Sequence, residues 1–357
     1  MGEAKRRLLK TRDAVLVMLV VQTTAVVLLM RYSKTRVVTG RPYVNSAAVL
    51  MAEALKLPFC LLMAGRSLGG ARELWMLIEG EVLGNMRDTL KCAVPAVAFT
   101  VQGNLLFVAL SNLDAPSYQV IYQAKTVFTA VFSFFMLGRR LKASQWLATI
   151  LLCAGGALVS DLRSSASRSS YEDGQSTAVG VAAVLSAAVL SASSSVYFEF
   201  MLKKQSTTPA AAAASLWLRN IQLGMFALPL AALTMLVQDG EHVRSYGVLH
   251  GFDHVVWTIV LLNGIGGLLV AATMKYADNI VKCFAAALAI LSATLLSAML
   301  FDFKLSATFS MGLLCTVLAT TLYSWAPDRP AACQVATAVV STESAGVAGA
   351  RGDESRV

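Results

Sequence analysis

One lysine stands inside an apolar stretch of the chain that is long enough to cross a membrane. The stretch runs from Tyr118 to Arg140, and before its closing Arg-Arg pair it carries a single charge, on Lys125. Spacings of four, three and four residues place four polar side chains on one helical face: Tyr118, Tyr122, Lys125 and Thr129. Such a face can hold a polar, anionic guest within the membrane. Two alternatives are that Lys125 snorkels to the interface or pairs with a neighbouring helix.

A second cation is found in the apolar stretch 47–64, where Lys56 follows Glu53 at a spacing of three residues. Residues three apart are neighbours on one helical face, so these two charges can pair with each other. They can equally contact a substrate directly. From the sequence, both interpretations stay open.

Amides and glycines interrupt two further apolar stretches. Gln102, Gly103 and Asn104 fall near the middle of one, and Asn263 and Gly264 near the middle of another. We expect both helices to be broken at these points, with the amides lining a cavity. The alternative for the glycines is close packing between helices.

The composition indicates the class of protein. Of the 357 residues, 56% are hydrophobic and 14% charged, and the mean hydropathy is +0.63, which predicts an all-α polytopic membrane protein. The net charge of +9 does not indicate nucleic-acid binding, because the basic residues stand in short clusters between apolar runs. The six cysteines form neither a disulfide framework nor a CxxC pair, and we expect no metal and no cofactor.

Ten membrane helices are predicted, in two halves. The first apolar run, 14–30, is too long for a signal peptide, so we interpret it as a retained helix. The others cover 47–64, 92–110, 118–140, 145–159, 177–202, the region from residue 216, 255–274, 281–303 and 305–325. The predicted organisation is a basic N-terminus (1–12), a five-helix repeat (13–160), a loop (161–175), a second five-helix repeat (176–325) and a disordered tail (326–357).

The basic residues predict the orientation of these helices. With ten helices, both termini lie on one side of the membrane. Assigning that side to the cytosol places 19 of the 30 Lys and Arg residues there, against 8 on the other side. Because positive charge is enriched in cytosolic loops, both termini are predicted to be cytosolic and the loop 161–175 luminal.

The two halves carry similar polar residues at matching helices. The second and seventh helices contain a cation, Lys56 and Arg219, and the fourth and ninth have a lysine near their start, Lys125 and Lys282. The third and eighth each carry an amide next to a glycine. Since five helices is an odd number, such a duplication must be inverted. Inverted repeats with polar helices at the membrane centre are typical of secondary transporters.

Three stretches read SNLDAPSYQVIYQAK, WLRNIQLG and GGLLVAATMKYADNIVKCFAAALAILSATLLSAMLF. They resemble signature segments of the Golgi nucleotide-sugar transporters, in the branch that carries UDP-galactose, UDP-N-acetylglucosamine and CMP-sialic acid. The similarity extends over residues 13–325. It implies the drug/metabolite-transporter fold, with ten helices as two inverted repeats. It also implies exchange of a cytosolic nucleotide sugar for a luminal nucleoside monophosphate.

The resemblance also implies a set of substrate contacts. The family lysines that hold the substrate phosphates match Lys125 and Lys282, and residues that line the pocket match Tyr118 and Asn104. The remaining candidates are Glu53 and Lys56, which match an acid-x-x-Lys pair of the family, together with Tyr122, Gln102 and Asn279.

The chain departs from the family at Gly103, where an asparagine is usual, so we expect base or sugar selection to be altered. Glu53 neutralises Lys56, and Gly103 removes an amide that could have contacted the ligand. Such a pocket suits a neutral hexose better than an acidic sugar. We therefore expect an antiporter, and not an enzyme, that imports UDP-galactose into the Golgi lumen in exchange for UMP, with UDP-N-acetylglucosamine as a second substrate. The alternatives are CMP-sialic acid/CMP exchange, a membrane-bound glycosyltransferase and a structural membrane protein. The expected partners are nucleotide sugar, nucleoside monophosphate and membrane lipids, without nucleic acid, and a homodimer is left open.

Overall fold

The computed structural model describes residues 2–35, 43–113, 118, 121–161, 176–204, 214–300 and 307–325. The regular structure in these ranges is helical. The helices are α1 (Gly2–Thr35), α2 (Asn45–Leu68), α3 (Ala71–Leu77), α4 (Met86–Lys91), α5 (Ala93–Asn112), α6 (Ala124–Leu137), α7 (Ala143–Asp161), α8 (Thr177–Lys203), α9 (Ser215–Tyr246), α10 (His254–Tyr276), α11 (Asn279–Leu300) and α12 (Ala307–Trp325).

Six stretches in the described part of the chain are long and apolar enough to cross a membrane. They are Lys10–Met30, Asn45–Leu68, Met86–Leu110, Thr177–Lys203, Ser215–Tyr246 and His254–Tyr276. Four shorter apolar helices accompany them, within α6, α7, α11 and α12. In a bilayer every backbone polar group must be satisfied internally, and helices achieve this within one segment. The expected class, a polytopic helical membrane protein, is confirmed.

The connection between α2 and α5 is helical as well. α3 continues into a π-helical segment, Ile78–Leu83, and α4 follows. Asn85 caps α4, since its side chain accepts a hydrogen bond from the backbone N–H of Asp88 at 3.3 Å. This mixed-charge connection brings Asp88 close to the start of α9, where it forms an ion pair with Arg219.

The expected breaks in two helices are wrong. α5 continues through Gln102, Gly103 and Asn104, and α10 continues through Asn263. The reason is local: the amide of Asn104 donates to the carbonyl of Thr100 at 2.9 Å, and that of Asn263 to a carbonyl four residues earlier at the same distance. An amide that bonds back to its own helix needs no break in the backbone ladder.

The predicted helix from Tyr118 to Arg140 is only partly met. Tyr118, Ile121 and Tyr122 are helical, as predicted, and α6 then runs from Ala124 to Leu137. The helix ends earlier than expected because Gly138 adopts a left-handed conformation with φ +64°. Glycine takes this conformation without strain, so it ends the helix at this point. Residues 119 and 120 lie outside the described residues. The same holds for 162–175 of the predicted luminal loop and for the predicted tail, 326–357.

The helices of the two halves contact one another in a corresponding pattern. α5 and α6 both pack against α8, and α10 and α11 both pack against α1. α2 also packs against α9 and α10, and α7 against α12. The glycine run of α10 allows close approach, because a Cβ at Gly266 would lie 2.5 Å from the side-chain nitrogen of Gln22 in α1.

Candidate functional site

Lys125 lies beside a pair of stacked tyrosines. Its ammonium is 4.9 Å from the centre of the Tyr122 ring. The rings of Tyr118 and Tyr122 are nearly parallel, 10° apart, with their centres separated by 5.8 Å. The structure therefore places together three of the four residues that the helical spacing put on one face. A cation above a tyrosine ring is attracted by the electron density of that face, which holds the lysine over the aromatic pair without neutralising it.

The two amides of α5 have different partners, and Gln102 is the one that reaches the tyrosine pair. Gln102 donates from Nε2 to the hydroxyl of Tyr122 at 3.2 Å. Asn104 is exposed and accepts a hydrogen bond from Gln238 of α9 at 2.9 Å. No atom lies within 4 Å of the position that a Cβ would take at Gly103. Helix packing thus does not explain this glycine, and open space is left between the two amides.

Lys282 lies in the first turn of α11 and is close enough to Lys125 for the two charges to repel each other. Within the described ranges, neither ammonium forms an ion pair with a carboxylate. Glu199 acts on Lys282 only as a more distant opposite charge, because it is already bound to Lys203. Two unneutralised cations near each other in an apolar surrounding favour a bound anion.

Asn279 is fully buried, three residues before Lys282, and so lies on the same face of α11. Both polar atoms of its side chain are without a hydrogen-bond partner in the part of the chain that the structure describes. A buried amide left in this way costs about 1–3 kcal/mol. Its backbone N–H, in contrast, donates to Glu199 at 3.0 Å. The orphaned amide beside a free lysine fits a position that a ligand completes.

Glu53 and Lys56 form the ion pair that their spacing allowed. Lys56 is buried, and its chain lies along α10, where a Cβ at Gly267 would be 3.5 Å from the lysine Cδ. Of the three cations within the apolar helices of the candidate set, Lys56 is therefore the one whose charge is neutralised by a neighbour. Among the described contacts of this pair none reaches the tyrosines.

A second cluster, which the sequence reasoning missed, lies at the start of α9. Arg219 binds Asp88 at 2.7 Å and donates to Gln222 at 2.8 Å. Gln222 in turn donates to Thr89 at 3.1 Å. The WLRNIQL segment indicated buried polar residues here, but nothing in the pattern identified Asp88 as their partner. Arg219 is thus committed to holding α4 and α9 together.

Two more contacts were also missed, both at the turn between α10 and α11. Arg139 binds Asp278 at 2.7 Å, and Lys203 donates to the carbonyl of Ala277 at 2.8 Å. The only signal in the sequence was the motif KYADNIVK, in which an aspartate precedes a helix start. That signal predicts a cap, but it does not predict an ion pair with a residue far away in the chain.

The fold defines a polytopic helical membrane protein, and its candidate site brings cationic and aromatic side chains together. The chain belongs to the nucleotide-sugar transporter family, whose family model matches residues 7–324. It is therefore similar to transporters and not to enzymes.

Individual relatives agree with this family. The human UDP-N-acetylglucosamine transporter is 42% identical over 88% of this chain and 94% of its own length. The mouse UDP-galactose translocator is 40% identical over 87% of this chain and 77% of its own. The UDP-galactose/UDP-N-acetylglucosamine transporter srf-3 of Caenorhabditis elegans is 38% identical over 88% and 82%. A solved crystal structure with 14% identity has the same fold, with a TM-score of 0.59 over 88% of this chain and 96% of that one.

Proposed function

We propose that this protein is an antiporter that imports a UDP-sugar, with a neutral sugar, into the Golgi lumen in exchange for UMP. UDP-N-acetylglucosamine is the first candidate substrate and UDP-galactose the second. This order reverses the expectation from the sequence. It is supported by the relatives at 42% identity, which are UDP-N-acetylglucosamine transporters, whereas the UDP-galactose translocator is 40% identical.

The observation that carries the proposal is the pair of unneutralised lysines, Lys125 and Lys282. A diphosphate between them relieves their mutual repulsion and neutralises both, so a loaded site is more favourable than an empty one. Ammonium groups bind phosphate as point charges and release it again by rehydration. That property suits a carrier, which must let its substrate go on the far side of the membrane.

The tyrosine pair and the amides supply the remaining contacts in this proposal. The stacked rings of Tyr118 and Tyr122 offer an aromatic face to a uracil base. Gln102 and Asn279 present amides that can bind its carbonyl and imide groups or the sugar hydroxyls. Because Glu53 neutralises Lys56, that lysine is not available for the extra carboxylate of an acidic sugar.

The corresponding helix contacts support an inverted duplication for the mechanism. In this proposal α1, α2, α5, α6 and α7 form the first repeat and α8 to α12 the second. Each repeat contributes one of the two lysines, from α6 and α11. A site between two repeats can be exposed to either side of the membrane by rocking one against the other.

The test is exchange in proteoliposomes that contain the purified protein and are preloaded with UMP. Lys125→Ala and Lys282→Ala should each lower the affinity for UDP-N-acetylglucosamine on the order of a hundredfold, because a charge-assisted contact is lost. Lys142→Ala, which changes an exposed lysine, is the matched control and should exchange normally.

Competition by unlabelled nucleotides decides the base. UMP should inhibit uptake and CMP should not. Inhibition by CMP alone would replace the proposal by CMP-sialic acid/CMP exchange. If wild-type vesicles took up no more label than empty ones, the proposal of transport would fail altogether.

A further inference from the structure

An ion pair joins one end of the two helices that carry the substrate lysines. Arg139 follows directly on the end of α6, and Asp278 directly precedes α11. Their side chains meet at 2.7 Å, and they are 17% and 7% exposed. Lys125 lies in the first turn of α6, far along the helix from Arg139, whereas Lys282 lies one turn after Asp278 in α11. The ion pair therefore connects the two lysine helices directly beside Lys282.

Local backbone contacts hold both partners of this ion pair in place. The left-handed Gly138 turns the chain, and the backbone N–H of Arg139 then donates to the carbonyl of Ser133 at 3.3 Å. On the other side, one carboxylate oxygen of Asp278 accepts the N–H of Val281 at 2.8 Å, which caps α11. The other oxygen binds Arg139. Each oxygen of Asp278 therefore has its own partner.

The turn between α10 and α11 has a second attachment, to α8. Glu199 is 1% exposed and binds Lys203 at 2.5 Å. The same carboxylate accepts the backbone N–H of Asn279 at 3.0 Å, and Lys203 also donates to the carbonyl of Ala277 at 2.8 Å. The turn is therefore fixed to α8 whether or not Arg139 is bound. The Arg139 contact and the packing of Ala130 against Ile280 and Phe284, in contrast, depend on the distance between α6 and α11.

We propose that Arg139 and Asp278 are positioning residues that close the passage between α6 and α11 at this end of the bundle, and that their separation opens it. The inference rests on the proposed transport function, because it assigns the ion pair to one of the two access states of a carrier. A charged pair suits this use, since its partners can be rehydrated when they part. The interface between α6 and α11 is then expected to switch between two packed arrangements, because packed interfaces do not deform gradually.

A buried position in α6 can report whether the passage between α6 and α11 is open. Ser133 is buried in α6, eight residues after Lys125 and six before Arg139. Thr129 stands between Lys125 and Ser133 at spacings of four, which places all three along one face of α6. A cysteine at Ser133, in a variant whose six native cysteines are replaced by serine or alanine, should react with a membrane-impermeant thiol reagent only when the passage is open.

The experiment compares labelling of the Ser133→Cys reporter in proteoliposomes. Asp278→Asn is the decisive variant, because asparagine caps a helix as well as aspartate does but cannot form the ion pair. We expect labelling from the Arg139 side to rise about tenfold, the effect of one charge-assisted hydrogen bond on an equilibrium. Arg139→Gln should give a similar increase. Arg140→Gln, at the exposed neighbouring arginine, should give none.

The double variant tests whether the two residues act through each other. If they do, Arg139→Gln with Asp278→Asn should label no faster than either single variant. Unchanged labelling in both single variants, or additive increases in the double variant, would overturn the proposal. The result does not depend on transport: labelling reports the passage even if the wild-type protein binds no UMP. A failure of the proposed function and a failure of this inference are therefore distinguishable.

Discussion

The two ends of the helix bundle are held together by different kinds of contact. At the end where α6 and α8 finish and α9 and α11 begin, which we call the charged end, the described contacts include Arg139 with Asp278, Lys203 with Glu199 and Arg219 with Asp88. At the opposite end, where α2 begins and α9 finishes, Ser46 donates to Asp239 at 2.5 Å. In these contacts at the charged end both partners carry a charge. In the Ser46–Asp239 contact only the aspartate does.

This difference has an energetic meaning. Removing one partner of a buried ion pair costs about 3–5 kcal/mol, whereas a hydrogen bond to a charged group contributes about 1.5–3 kcal/mol and a neutral one about 1 kcal/mol. Among the described contacts, a substitution that removes one partner should therefore cost more stability at the charged end than at the opposite end.

The largest effect is expected at Lys203. Lys203→Ala leaves the buried carboxylate of Glu199 without its cation, with only the N–H of Asn279 as a partner. The free energy of unfolding should fall by about 3 kcal/mol. Thermal unfolding in detergent measures the change. Lys204→Ala is the control, because that neighbouring lysine is about half exposed, and equal melting temperatures for the two variants would contradict the assignment.

A smaller effect is expected at the opposite end. Ser46→Ala removes the hydroxyl that donates to Asp239, at the point where α9 is kinked. Asp239 has a non-helical backbone with φ −127° and ψ 17°, and the loss should be about 1.5 kcal/mol. Ser67→Ala provides the comparison, since the Ser67 hydroxyl is exposed and bonds only within its own helix. A Ser46 variant as stable as the Ser67 variant would remove the contrast between the ends.

The smallest effect on stability is expected at Gly103. Gly103→Asn meets no atom within 4 Å of the new Cβ, and asparagine is slightly better than glycine in a helix, by a few tenths of a kcal/mol. The melting temperature should be unchanged, while the preference between UDP-N-acetylglucosamine and UDP-galactose should shift. Gly180→Asn is the opposite case, because its Cβ would lie 2.6 Å from Leu113. If both variants were equally destabilised, the space at Gly103 would not be open.

The sequence predicted the fold class and one face of the site because both depend on local periodicity. Apolar runs of membrane length predict helices, and a spacing of three or four residues predicts contact, as for Tyr122 with Lys125 and for Glu53 with Lys56. The same reasoning failed at Gln102 to Asn104, where polar residues in an apolar run were taken as a break. Such residues can bond to their own helix, as Asn104 does, and the composition does not reveal this.

Contacts between distant parts of the chain were beyond the sequence. Arg139 and Asp278 are far apart in the chain, and Asp88 is similarly distant from Arg219. Their pairing follows from which helices are neighbours, and hydrophobic periodicity contains no information about that. The same limit applies to the closeness of Lys125 and Lys282, which the sequence indicated through the correspondence between the two halves and through the family resemblance.

The turn that carries Lys282 has a mechanical consequence. Three of its backbone N–H groups are hydrogen-bonded. That of Ala277 donates to the carbonyl of Thr273, that of Asn279 to the carboxylate of Glu199, and that of Val281 to the carboxylate of Asp278. A segment with its amides bonded in this way bends little. We therefore expect a displacement of α8 to move the start of α11, and Lys282 with it.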